Sequence, residues 1–141
     1  MLPPIDSRSS KSNRRPLLAD KLALLIWAAT PDHPDLVVTP LIHALAARAL
    51  DAEVEIHFAG PAIRWLVDGV ANLKYATPAR EKSIGDFLHE LQQEGVSLYA
   101  CSMAQAQWVA AAESLLPGCR HAGATAFVVR ALDSEWRTLT Y

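Results

Sequence analysis

The chain has 141 residues, 51% of them hydrophobic and 20% charged, with a formal net charge of −2. That is enough apolar material for one packed core, and it offers no basic field to gather phosphates, so nucleic acid is not expected as a partner. No run approaches the roughly 18 to 20 apolar residues of a bilayer span, so no membrane partner is expected either.

The first twenty residues, MLPPIDSRSSKSNRRPLLAD, mix four basic and two acidic residues with Ser, Pro and Asn and contain no apolar signal-peptide core. They read as a disordered or loosely packed arm over 1–20, leaving one domain over 21–141. The two cysteines, Cys101 and Cys119, form no disulfide framework, which points to a reducing, cytoplasmic setting.

KLALLIWAA (21–29) is a continuous apolar run that suits a strand buried on both faces, and TPDHPD follows it as a turn. Asp35 is then placed to cap a helix over 36–50, with Pro40 acceptable only near its first turn. Helical spacing puts Val38, Leu41, Ile42, Leu45 and Ala49 on one face of this helix and Leu36, His43, Ala47 and Leu50 on the other. A helix apolar nearly all round needs cover beyond its own sheet, and a second subunit would supply it.

AEVEIHFAG (52–60) alternates Val54, Ile56 and Phe58 with Glu53, Glu55 and His57, the pattern of a strand near the sheet edge with one polar face. A short helical piece over 62–70 and a surface loop over 71–82 follow. SIGDFLHELQQEG (83–95) returns to helix spacing, with Ile84, Phe87, Leu88 and Leu91 on one side and Gly95 as its stop. VSLYA (96–100) is a second buried strand, and it leads through Cys101 into an alanine-rich helix over 102–116. Near the C-terminus a helix in GATAFVVRAL and a last strand in WRTLTY preserve the strand–helix alternation, which implies an α/β fold with a parallel sheet covered on both faces.

Cys101 is the leading candidate for chemistry. A strand-to-helix turn is where open α/β sheets place their ligands, and a helix N-terminus favours thiolate over thiol. His33, after the first strand, and His57, near the end of another, are candidates to support it by proton transfer. His43 is expected to pack in a subunit interface, and His89 and His121 to lie on the surface. Cys119 could resolve an oxidised Cys101 only if its loop folds back past the intervening helix. There is no CxxC or HExxH spacing, and the loop after the first strand has no glycine, so no metal and no nucleotide cofactor is expected. The four tryptophans are scattered and read as packing residues.

KLALLIWAA with its Pro-Asp turn, DAEVEIHFAG, FLHELQQEGVSLYACSMA and the ending DSEWRTLTY together resemble the DsrE-like (DsrE/TusD) sulfur-relay family over 21–141. The resemblance rests most on EGVSLYACSMA, where a glycine ends a helix and a cysteine opens the next. It implies a flavodoxin-like three-layer sandwich with a mostly parallel sheet of about five strands, and a homo-oligomer from dimer to hexamer. It also implies that Cys101 accepts sulfane sulfur as a persulfide and passes it to a partner thiol, so that donor and acceptor proteins are partners and the chain is a carrier rather than a turnover enzyme. Two alternatives stand beside it: a non-catalytic small-ligand-binding or assembly module of the same fold, and a thiol peroxidase-like redox protein.

Overall fold

The computed structural model describes residues 20–141. The arm expected over 1–20 lies, but for Asp20, outside the described residues. Five strands, β1 (Lys21–Ile26), β2 (Glu53–Phe58), β3 (Ser97–Cys101), β4 (Arg120–Ala122) and β5 (Trp136–Thr140), form one sheet in the order β4-β3-β2-β1-β5, and every pairing is parallel. Four helices join them: α1 (Asp35–Ala49), α2 (Ile84–Gln93), α3 (Ser102–Trp108) and α4 (Ala124–Leu132). The result is a three-layer α/β sandwich of the flavodoxin-like kind.

The sheet's two faces differ. Leu24, Ile26, Val54, Ile56, Phe58, Leu98 and Ala100 project to one side and form the core with α1, α2 and a 3₁₀ turn over Gly60–Leu66. The other face carries Glu55, His57, Tyr99, Cys101 and Trp136, and its helical cover is α4. Parallel crossovers are right-handed, so a chain that steps from β1 to β4 in one direction keeps its connections on one side. The return from β4 to the far edge beyond β1 then has to cross the opposite face.

Several elements depart from expectation. The strand over 53–58 lies in the middle of the sheet, not near its edge. Two of its alternating polar residues, Glu55 and His57, are buried and paired with each other, with Arg130 of α4 completing the group, while Glu53 stays exposed, which the alternation alone could not distinguish. In α1 the buried stripe is Val37, Pro40, Leu41 and Ala44, while Ile42 and Leu36 are exposed. The helix is rotated from the expected face because Pro40 belongs to the i, i+3, i+4, i+7 set instead of interrupting it. Asp35 is the first helical residue rather than the cap, where its charge complements the helix dipole.

The helix after Cys101 covers seven residues, 102–108, instead of the fifteen expected. Arg64 stops it: its Nη1 donates to the Trp108 carbonyl at 3.1 Å and to Glu113 Oε1 at 2.6 Å. The following segment then lies along the 3₁₀ turn, with Leu115 bridged antiparallel to Val67 and the Leu116 N–H donating to the Leu66 carbonyl at 2.8 Å. By contrast, α2 forms as expected, since Ser83 and Asp86 make a capping box, each bond 3.0 Å, and Gly95 takes φ 84° just past its end.

Trp65 locks this layer to the end of β1. It is fully buried, and its indole N–H donates to the Ala29 carbonyl at 2.7 Å. Trp65→Phe keeps most of the ring but strands that carbonyl, so it should cost about 1–3 kcal/mol. A lower urea midpoint with an unchanged m-value is the expected result, and a midpoint equal to the parent's would contradict it.

Candidate functional site

Adjacent strands whose outgoing connections leave toward opposite faces open a crevice at their C-terminal ends. In this sheet those strands are β3 and β4, since β3 leads to α3 on the core side and β4 leads to α4 on the other. Cys101, the last residue of β3, pairs in register with Ala122, the last of β4. A cavity of about 220 Å³ opens there, lined by Cys101, His57, Leu25 and Ala122 together with Phe127 and Val128 of α4. Its wall is almost wholly apolar, and neither Lys nor Arg contributes to it.

The structure thus brings together Cys101 and His57, two of the three residues expected to carry chemistry. His33 lies exposed in the turn after β1, outside the residues that line this cavity. His43 is also exposed and hydrogen-bonds the Tyr141 hydroxyl through Nδ1, while His89 and His121 are exposed as expected. Among the described residues no group of three or more His, Cys, Asp and Glu could hold a metal ion.

His57 is buried and tightly held. Its ring stacks on Tyr99, 4.8 Å between centroids and 14° from parallel, and meets Phe127 edge-on at 5.4 Å. Its Nε2 is 3.0 Å from Glu55 Oε1. Glu55, only 5% exposed, is gripped on its other side by Arg130 of α4, with Nε at 2.8 Å from Oε1 and Nη2 at 3.3 Å from Oε2. The guanidinium itself lies 4.1 Å from the centre of the Trp136 ring. Burial alone would push the Glu55 carboxyl up, but hydrogen bonds from His57 and Arg130, and their charge, hold it below the usual carboxylate range.

Sequence reading missed Glu55, Arg130 and the strand β4. The segment Arg120–Ala122 has no apolar alternation because it is an exposed edge strand of three residues. Glu55 looked like a solvated strand residue, and its partner lies 75 positions away. The one local signal was the i, i+2 spacing of Glu55 and His57, which puts both on one strand face.

Cys119 precedes the edge strand at its opposite end. Three residue steps along the strand separate it from Ala122, beside Cys101, which is ~10 Å along the sheet and beyond the roughly 7 Å Cα separation a disulfide tolerates. Burial pushes its thiol up to about 11. At pH 7 Cys119 is therefore held as the thiol, so a neutral alkylating agent should modify Cys101 first and leave Cys119 for denaturing conditions. Faster labelling of Cys119 in the folded protein would overturn this assignment.

Glu55 also gives a signature in stability. A carboxyl whose folded pKa is depressed contributes stability above its ordinary value, and that contribution is lost as pH falls through the folded value. Glu55→Gln should therefore be less stable than the parent at pH 7, and the gap should close below about pH 4.5 in thermal melts. A gap independent of pH would show that the carboxylate charge contributes nothing.

The fold is shared with solved structures. The ychN protein from E. coli superposes with a TM-score of 0.65 at 15% identity, over 86% of this chain and 99% of its own. A protein of unknown function, MTH1491 from Methanobacterium thermoautotrophicum, gives a TM-score of 0.59 at 17% identity, over 86% of this chain and 98% of its own. A search of curated proteins finds no match. The profile of the DsrE/DsrF-like family matches residues 21–141, the whole sheet with all four helices, and the chain belongs to that family.

Proposed function

We propose that the protein is a sulfur carrier in which Cys101 accepts sulfane sulfur as a persulfide and hands it to a partner thiol. One observation carries the reading: Cys101 lines a small apolar cavity at the sheet's switch point, and His57 lines it too. The Cys101 thiolate attacks the outer sulfur of a donor persulfide, the donor's S–S bond breaks, and a new S–S bond forms on Cys101. The donor leaves as a thiolate and takes up the proton that Cys101 gave to His57, so the exchange needs no outside oxidant. A wall without Lys or Arg offers nothing to a free anionic donor and suits a persulfide presented by another protein.

Both cysteines are free, in keeping with a reducing, cytoplasmic setting. Among the described residues no helix is long and apolar enough to cross a membrane. A homo-oligomer is part of the proposal: Leu36, Ile42 and Leu50 of α1 and the residue after it, and Val129 and Leu132 of α4, are large apolar side chains left exposed. Leu50→Glu should shift light scattering toward smaller species, and a parent chain that scatters as a monomer at micromolar concentration would remove this part of the account.

The sulfur reading is tested by incubating the protein with a sulfane-sulfur donor and measuring intact mass. The parent and Cys119→Ser should gain one sulfur atom, and Cys101→Ser none. No gain on the parent would leave the cavity as a small-ligand site, and a gain of oxygen from peroxide instead would favour a thiol peroxidase.

A further inference from the structure

Buried charge in the middle of a sheet is costly, and an apolar pair of similar volume would usually be at least as stable. Yet β2, the middle strand, holds both Glu55 and His57 under α4, with side chains only 7% and 8% exposed. Arg130 of α4 reaches over to complete the group. The arrangement has a definite chemical consequence.

Glu55 is ionised, and an ionised carboxylate only accepts hydrogen bonds. The hydrogen shared along the 3.0 Å contact must therefore sit on His57 Nε2. In the neutral imidazole this leaves the lone pair on Nδ1, which has no hydrogen-bond partner among the described residues. Among the described residues no buried side-chain nitrogen or oxygen is left unpartnered, so Nδ1 is not sealed in the core, and His57 lines the same cavity as Cys101. Stacking on Tyr99 and the edge contact with Phe127 fix the plane of the ring, and the bond to Glu55 fixes which nitrogen points to the carboxylate.

We infer that Glu55, clamped by Arg130, is a positioning residue that fixes His57 in the Nε2–H form, so that Nδ1 is the base that takes the Cys101 proton. This rests on the sulfur-carrier reading only for the identity of the group transferred. The charged and titratable groups facing His57 are Glu55 on its own strand, Tyr99 and Cys101 on β3, and Arg130 of α4 acting through Glu55, while β1 presents Leu25. Removing the proton from Cys101 creates an imidazolium between a thiolate and a carboxylate, and Glu55 stabilises it. Without Glu55 that imidazolium has no carboxylate partner, and the proton transfer from Cys101 is less favourable.

Two measurements test this on the full chain. The first is the His57 tautomer in the parent, read from long-range proton–nitrogen NMR couplings and assigned by their absence in His57→Gln. The Nε2–H form is expected, and the Nδ1–H form would overturn the inference without any need for a folded variant at Glu55. The second is the rate of Cys101 alkylation by iodoacetamide against pH, in a Cys119→Ser background. Both Glu55→Gln and His57→Gln should lower the rate at pH 7 by about tenfold, and the double variant should do no worse than either, since all three break one unit. The dependence of the rate on pH should be the same in all three variants and differ from the parent's. If the variants keep the parent's profile, or the double variant multiplies the two losses, Glu55 and His57 are structural only. Neither measurement uses a sulfur donor. A parent with the expected profile that takes up no sulfur would defeat the carrier reading alone, and sulfur loading at the parent's rate by His57→Gln would defeat this inference alone.

Discussion

The handedness of parallel crossovers is the constraint on which the rest of the molecule depends. Three connections in a row travel the same way across the sheet, so α1, α2 and α3 stand on one side and the core forms there. The single reversal after β4 puts α4 on the other side and parts the outgoing chains of β3 and β4. The cavity is the gap so made, and its position follows from strand order before any side chain is considered. Cys101 stands at that gap because it is the last residue of the strand there.

The same reversal makes the second face unusual. Among the described residues one nine-residue helix lies on this face of the five-stranded sheet, and none of its own residues is fully buried. The polar residues beneath it, Glu55 and His57, are linked to each other and through Glu55 to Arg130 of the helix itself, instead of being replaced by aliphatic packing. Arg130 is suited to this because its planar fork meets both carboxylate oxygens while its face rests on Trp136. Trp136 is thereby tied to the site at one remove, from the far edge strand.

The sequence was informative where a pattern is local. The apolar run of β1, the Ser83 cap and Gly95 stop of α2, and the strand-cysteine-helix junction at Cys101 depend on neighbours within a few residues, and each is found in the structure. Features set by distant partners were not legible. The early end of α3 is due to Arg64, 44 residues upstream of Trp108. The alternation Glu53-Glu55-His57 is the same whether water or an arginine satisfies it, so a central strand resembled an edge. β4 is a strand only because Tyr99 and Cys101 offer it a ladder. The seven residues of α3 also give Cys101 about two turns of helix where fifteen residues were expected, which moves the case for its reactivity from the helix dipole toward His57.

The central claim is that sulfur resides on Cys101 in a form another nucleophile can remove. Cyanolysis measures this directly, because cyanide attacks the outer sulfur of a persulfide and releases it as thiocyanate while the thiolate remains. After exposure to a sulfane-sulfur donor and removal of the excess, the parent should release about one thiocyanate per chain and regain its free Cys101, and Cys101→Ser should release none. Equal release from the two proteins, or none from the parent, would contradict the account.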